Sequence, residues 1–522
     1  MVSTSFSPIN RVAGLVSGLE TQKIVEDLMK AARIPLDKLL QQKQILQWRQ
    51  EDYRAINRAL MDFRTNTASP LRLQGTFQAK KATSSDETAV TAVPGGSAVT
   101  GTYEVTVTSL AKTGSLFSTV SLYASYPNFD PDAKMSDTTK SFGLSAATSF
   151  DIITYKADGT PDATITINVD PNETLNQLLA KIGTQTSGRL TAFFEKSTGK
   201  VVISTTKTGN YNENKFTLQD TNWFLLDYLK FSAYFSRSPI DNTEILSGTD
   251  AELTINGLTG IKQHENTFTL NNITFTLKKT TVSPVLVTVA NDTDKIFETV
   301  KSFVDQFNSL LDTINKELTE ERYPDYLPLT DAQKEQLTDK QIEQWEQKAR
   351  SGLLKNDPLL SDIVYRLRRA LTTPVTGLTV YDSLFDIGIR TGYYWEGGKL
   401  YIDEARLREA INANPEAVMK LFTTSAPNFE QQGLGVRLYN EVNNAISRVT
   451  AQAGSPYTLV DNSFLSRSIR ELDERIETME ERLARLEDRY WRQFTALEQA
   501  LATMQAQSNW LAGMAAQIGS AK

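Results

Sequence analysis

The hydrophobic pattern changes twice along the chain, from helical to alternating and back to helical. Near the start, Ser17-Gly-Leu-Glu20 has the spacing of a capping box, and Ile24, Val25, Leu28 and Met29 follow as one apolar stripe. Pro35 stands where a second helix should begin, because its missing N–H costs nothing in a first helical turn. Beyond it Leu39, Leu46, Tyr53 and Leu60 recur every seven residues, joined by Leu36, Ile56 and Phe63. That spacing predicts a narrow seam facing another helix.

After residue 70 the period drops to two. Segments 88–93, 101–110, 163–170, 189–205, 251–257 and 266–280 are rich in Thr, Val and Ile, with turn residues between them. Only short helices are expected among them, at 172–182 and 223–228, and 125–147 reads as loop. The length of this stretch suggests two β-rich domains, one inserted in the other.

Helix returns at Asp294, where Ile296, Val300, Phe303, Val304, Phe307, Leu310, Leu311, Ile314 and Leu318 form a broad apolar face. Thr330…Gln333 and Thr338…Gln341 have capping-box spacing, and 357–371 reads as another helix. The run 393–403 predicts a hairpin turning at Gly397-Gly398. Near the end, Ile469, Leu472, Ile476, Met479, Leu483, Leu486 and Tyr490 alternate by three and four, then Phe494, Leu497, Leu501 and Met504 continue. The four-residue step from Tyr490 to Phe494 is a stutter, which locally unwinds a coiled coil. A helix over 462–510 would be about 70 Å long, too long for a small domain to cover, so its seam must meet other helices. The N-terminal seam needs such a partner as well.

The fold class expected is therefore α+β multidomain, with terminal coiled-coil or bundle regions formed by both chain ends and two inserted β-rich domains. The expected division is 1–40 with 466–522 as a terminal helical leg, and 41–75 with 290–465 as a helical bundle carrying a small hairpin. An inner β-rich domain follows at 76–120 with 241–289, and an outer one at 121–240.

Composition narrows the chemistry. The 522 residues carry a net charge of −7, which argues against a nucleic-acid surface of clustered Lys and Arg. There is no cysteine, which removes disulfides, thiolate catalysis and Cys-ligated zinc, and His264 is the single histidine. No apolar run approaches the roughly 18–20 residues of a membrane span. The opening stretch 11–29 is broken by Gly14, Ser17 and Gly18 and followed by Glu20, so it does not read as a secretory signal. Gly392 to Gly397 has the gap of a phosphate loop, but Lys399 comes one residue late and Leu400 replaces the Ser or Thr. No catalytic, metal or cofactor residues are expected, and the chain reads as a non-enzyme; paired carboxylates are the one hydrolytic chemistry its composition permits.

Several stretches carry a family resemblance. They are "GLVSGLETQKIVEDLMKAARIPLDKLLQQK" and "YRAINRALMDFR" near the start, then "AELTINGL", "FVDQFNSLLDTI", "LTDAQKEQLTDKQIEQWEQKARSGLLKNDPLL" and "LFDIGIRT". "LEDRYWRQFTALEQALATMQAQSNWLAGM" completes them. Together they resemble the flagellar filament cap family, also called flagellar hook-associated protein 2; residues 119–240 match weakly. The resemblance implies a homo-oligomer, most often a pentamer, at the extracellular tip of the bacterial flagellum, holding back emerging flagellin and guiding its insertion. It implies export without a cleaved signal peptide, with a flagellar export chaperone and the type III export apparatus as partners, and neither nucleic-acid binding nor membrane insertion. The terminal helices would be legs touching the filament. Carried onto this chain, the contact and coiled-coil residues are Leu15, Leu19, Ile24, Val25, Leu28, Met29, Ile476, Met479, Leu483, Leu486, Tyr490, Phe494, Leu497, Leu501, Met504 and Leu511. The alternative is a surface adhesin or fibre-like protein whose β domains bind glycans.

Overall fold

The computed structural model describes residues 20–238, 240–393, 396–455 and 461–519, with side chains described as far as 515. The chain divides into two compact units, one built from residues up to Phe77 and from Thr293 onward, the other from Gln78–Asp292.

The first unit is helical. Its N-terminal helix, Thr21–Phe63, is one continuous 43-residue element. The break expected at Pro35 does not occur. Pro35 removes one backbone donor, but it lies on an exposed face, while Leu36 and Leu39 next to it are buried and hold the helical register. Glu20 is the N-cap and makes no side-chain cap; Ser17, the other half of the expected capping box, lies outside the described residues.

The second half of this helix enters a large core. Tyr53, Ile56, Leu60 and Phe63 pack with the apolar face of Thr293–Thr319, with Leu360, Ile363 and Leu367 of Pro358–Thr372, and with Leu438, Val442 and Val449 of Leu434–Ala453. Two polar devices pin this core. Asp357 caps Pro358–Thr372 by accepting the Leu360 N–H at 3.1 Å and accepts the Tyr53 hydroxyl at 2.6 Å, both groups being buried. The wholly buried Arg437 guanidinium donates to the carbonyls of Phe429, Thr373, Pro374 and Glu430, so its charge is spread over four backbone dipoles.

Thr330 and Gln333 form the full reciprocal box, whereas at Thr338 the Gln341 carboxamide accepts both the N–H and the hydroxyl. The hairpin near 400 pairs Ile389–Thr391 with Leu400–Ile402, so the link is longer than the two-residue turn expected at Gly397-Gly398. Glu396 accounts for the difference: its carboxylate accepts the Tyr393 N–H and the Tyr401 hydroxyl and ties the link into a wider loop.

The second unit is β-rich and holds two separate apolar cores. In one, a five-stranded antiparallel sheet runs in the order Lys80–Ser84, Val285–Asn291, Gly101–Ser109, Ala251–Ile255, Leu258–Gln263. It shares a core, including Val105, Val107, Leu253, Phe275 and Val287, with a three-stranded sheet of Thr267–Leu270, Ile273–Leu277 and Val90–Pro94. The other core draws all its residues from between Leu116 and Leu246. It sits among a four-stranded sheet (Thr243–Leu246, Phe216–Gln219, Thr148–Tyr155, Pro161–Val169), a three-stranded sheet (Ser115–Phe117, Lys200–Thr205, Leu190–Glu195) and the helix Leu175–Gln185. Period-two burial drives both: in Thr148–Tyr155 Phe150, Ile152 and Thr154 are buried and their neighbours are not. Asp220 lies wholly inside the second core, where one carboxylate oxygen accepts the Leu226 N–H at 2.9 Å. Burial pushes its pKa up to about 6, against the lowering effect of the backbone N–H groups it meets.

Candidate functional site

The terminal helices are the strongest candidate. Thr21–Phe63 and the 56-residue C-terminal helix, Phe464–Gly519, pack side by side and antiparallel. The register is read from polar pairs. Arg54 bonds Asp461 at 2.6 Å, Gln50 bonds Ser466 at 2.6 Å, and Lys43 meets Asp473 at 2.5 Å. Residue numbers rise on one helix as they fall on the other.

Asp461 anchors the base of the pair. It accepts from Arg54 and from the Ser466 hydroxyl at 2.6 Å, and from the Ser463 N–H at 2.9 Å. Burial alone would raise its pKa, but the Ser466, Ser463 and Arg54 donors outweigh burial and hold it down to about 2. Above the base an apolar seam begins, with Leu36, Leu39, Leu472, Ile476 and Leu483 buried and Met29, Ala32, Leu46, Met479 and Leu486 half-buried around them.

Farther from the base the helices leave a groove of about 720 Å³. Gln22, Val25, Glu26, Met29, Lys30, Arg33 and Leu36 form one wall, and Glu480, Leu483, Ala484, Glu487 and Trp491 the other. Spacings of three and four put each set on one helical face, with apolar side chains as floor and charges of both signs as rim.

Of the sequence-derived contact residues, Val25, Ile476 and Leu483 are buried, while Ile24, Met29, Met479, Leu486, Tyr490, Phe494 and Leu501 are half-buried. Leu28, Leu497, Met504 and Leu511 are exposed, the last two at 58% and 60%. Leu15 and Leu19 lie outside the described residues. Leu497, Met504 and Leu511 thus have no cover among the described residues, although residues 499–519 contain no charged side chain. No helix among the described residues is long and apolar enough to cross a membrane.

Two family models match the sequence: Flagellar hook-associated protein 2 N-terminus over residues 17–114, and Flagellar hook-associated protein 2 C-terminus over residues 248–506. Together they span well over half of the chain. The chain belongs to the flagellar hook-associated protein 2 family. A flagellar hook-associated protein 2 from Halalkalibacterium halodurans is 28% identical, covering 95% of this chain and 98% of that protein. One from Thermotoga maritima is 26% identical over 96% of this chain and 95% of its own length. The crystal structure of the D1-D2-D3 domains of the flagellar cap protein FliD from Escherichia coli has the same fold, with a TM-score of 0.54 and 22% identity over 81% of this chain and 99% of that one. Nothing in these likenesses supports the adhesin alternative.

Both family models include parts of the helix pair, the first from residue 17 and the second to residue 506. Within this hook-associated protein 2 chain, one seam residue departs from the heptad expectation. Tyr490 is half-buried, and Trp491, 9% exposed, occupies the groove floor instead. The groove-lining face advances by four from Leu483 through Glu487 to Trp491, ahead of the step expected between Tyr490 and Phe494. The four-residue step was visible in the sequence; where the helix absorbs it was not.

Proposed function

We propose that this chain forms the structural cap at the distal tip of a bacterial flagellar filament, retaining exported flagellin and promoting its insertion as the filament grows. In this reading it works without catalysis, as a homo-oligomer, most often a pentamer. It is exported through the flagellar type III apparatus with a chaperone and without a cleaved signal peptide. Residues 1–40 with 466–522 serve as the leg on the filament, 41–75 with 290–465 as the bundle behind it, 76–120 with 241–289 as the inner β-rich domain, and 121–240 as the outer one.

One observation carries the proposal: a chain matching the cap family along its length has a C-terminal helix on whose apolar face Leu497, Met504 and Leu511 are exposed. Such a face belongs against a partner. Its side chains are few and separated by Gln, Ala and Ser, so each contact is modest. Several modest contacts hold a multivalent cap in place while allowing each to release in turn. The half-buried and buried seam residues from Val25 to Leu486 keep the leg together, and the filament meets its far end.

The test replaces Leu497→Gln, Met504→Gln and Leu511→Gln together in a strain lacking its own copy. The purified variant should keep its helix content and thermal unfolding, because those side chains are exposed. Filament elongation should fail, with unpolymerised flagellin released into the medium. Normal filaments with normal motility would overturn the proposal.

A further inference from the structure

Among the described residues the two β-rich cores of 78–292 share no side chain, which turns attention to the neck between them. The chain crosses that neck twice. Lys112 and Thr249 exchange backbone hydrogen bonds, both at 2.9 Å, where the two crossings pass. Glycines allow this closeness. A Cβ on Gly114 would come within 2.5 Å of the Ser247 carbonyl, and one on Gly248 within 2.6 Å of the carbonyls of Lys112 and Gly209. Backbone touches backbone there; the Leu246 side chain lies beside Gly114, the Asn266 carboxamide brackets Ala111, and the Ser247 hydroxyl donates to Asn210 Oδ1 at 2.9 Å. Two crossing segments joined this way make a hinge.

A third segment spans the hinge. The loop after Lys200–Thr205, which belongs to the core of residues 116–246, reaches Asp250 and His264 on the other side. The Asn210 N–H donates to Asp250 Oδ1 at 2.6 Å, and the Thr208 hydroxyl donates to the His264 carbonyl at 2.7 Å. The Tyr211 ring lies 4.8 Å from the His264 ring. His264 Nδ1 in turn meets Asp250 Oδ1 at 2.9 Å, so one carboxylate oxygen serves both the loop and the histidine. Gly209, at φ +91°, brings its backbone against His264, where a Cβ would fall 2.6 Å from the carbonyl. His264 is half-exposed, so the contact opens without unpacking either core.

We propose that His264, with Asp250 and Tyr211, is a latch that fixes the outer β-rich part against the inner one, and that releasing it frees the glycine neck to bend. This is a conformational device of the β-rich unit and does not depend on what the terminal helices bind. The ring and its Nδ1 have separable tasks. The ring packs against Tyr211 at a tilt of 37°, while Nδ1 holds Asp250, whose other duty is to fix Asn210.

The absence of cysteine from the whole sequence makes the test direct. Spin labels at Thr259→Cys and Lys196→Cys, both exposed, report the distance between the two parts by pulsed electron resonance on the full chain. The unmodified latch should give one narrow distance peak. H264A should lose it in favour of a broad distribution, and Y211A should do the same. H264N, whose amide nitrogen takes the place of Nδ1, should retain part of the narrow peak. Unchanged circular dichroism separates hinge release from unfolding. A narrow peak persisting in both H264A and Y211A would overturn the proposal, as would unfolding of H264A that H264N does not relieve.

Discussion

Among single residues, the pair with the greatest leverage is Tyr53 and Asp357. The Tyr53 hydroxyl donates to a carboxylate that is 6% exposed and already caps a helix, with Arg49 3.7 Å away. Burial, reinforced by Asp357, raises the Tyr53 pKa, so the phenol stays a donor across the accessible pH range. Removing that donor leaves a buried charged acceptor short of a partner, which typically costs more than the bond itself contributes. Tyr53→Phe should therefore lower the stability of the helical unit by about 2 kcal/mol. Asp357→Ala should cost about 1 kcal/mol more, because the cap of Pro358–Thr372 is lost as well. Urea unfolding followed by circular dichroism ranks the two; an unaltered midpoint for Tyr53→Phe would show that water replaces the hydroxyl.

For whole elements the decisive feature is the seam between the terminal helices, where few residues do the packing. Leu483 closes the buried run and begins the groove. Leu483→Ala should weaken helix pairing by about 2–4 kcal/mol, at the lower end if the groove collapses into the space. Hydrogen exchange should speed up over 464–495 and 21–40, leaving Thr293–Thr319 protected, since that helix packs in a different core. Uniform loss of protection throughout the unit would contradict this. The seam itself is readable in the sequence: of Leu39, Leu46, Tyr53 and Leu60, which recur by seven, three are buried and Leu46 is half-buried. What was not readable is where the seam changes partner. Leu36 and Leu39 face the C-terminal helix while Tyr53 and Leu60 enter the bundle, and both need the same residue type. Pro35 misled for a related reason, because a local helix signal carries no information about the packing that overrides it. The β-rich unit shows the same limit. Alternation in 101–110 predicts the strand that forms at Gly101–Ser109, but nothing in the spacing of Gly114, Gly209 and Gly248 announces that three segments meet there.

For the whole molecule, two units with separate cores should respond to pH separately, and two carboxyl groups make opposite contributions. Asp220, in the β-rich unit, has its pKa raised by burial to about 6, so the folded state holds a proton that the unfolded chain releases nearer 4. Its contribution to stability is complete below pH 4 and is lost as pH rises through 6, an effect on the order of 2 kcal/mol. Asp461, in the helical unit, is held down to about 2 by Ser466, Ser463 and Arg54 despite its burial. Its contribution is complete above pH 4 and is lost as pH falls toward 2, again on the order of 2 kcal/mol. Between pH 7 and 4 the β-rich transition should therefore move up in a calorimetric scan; between pH 4 and 2 the helical transition should move down. Other carboxylates titrate across the same range, so the informative quantity is the slope lost in each variant. Asp220→Asn should flatten the first movement and leave the second intact, and Asp461→Asn should do the reverse. If either substitution changed both slopes equally, the two units would have to unfold as one, and the separation of their cores would not govern stability.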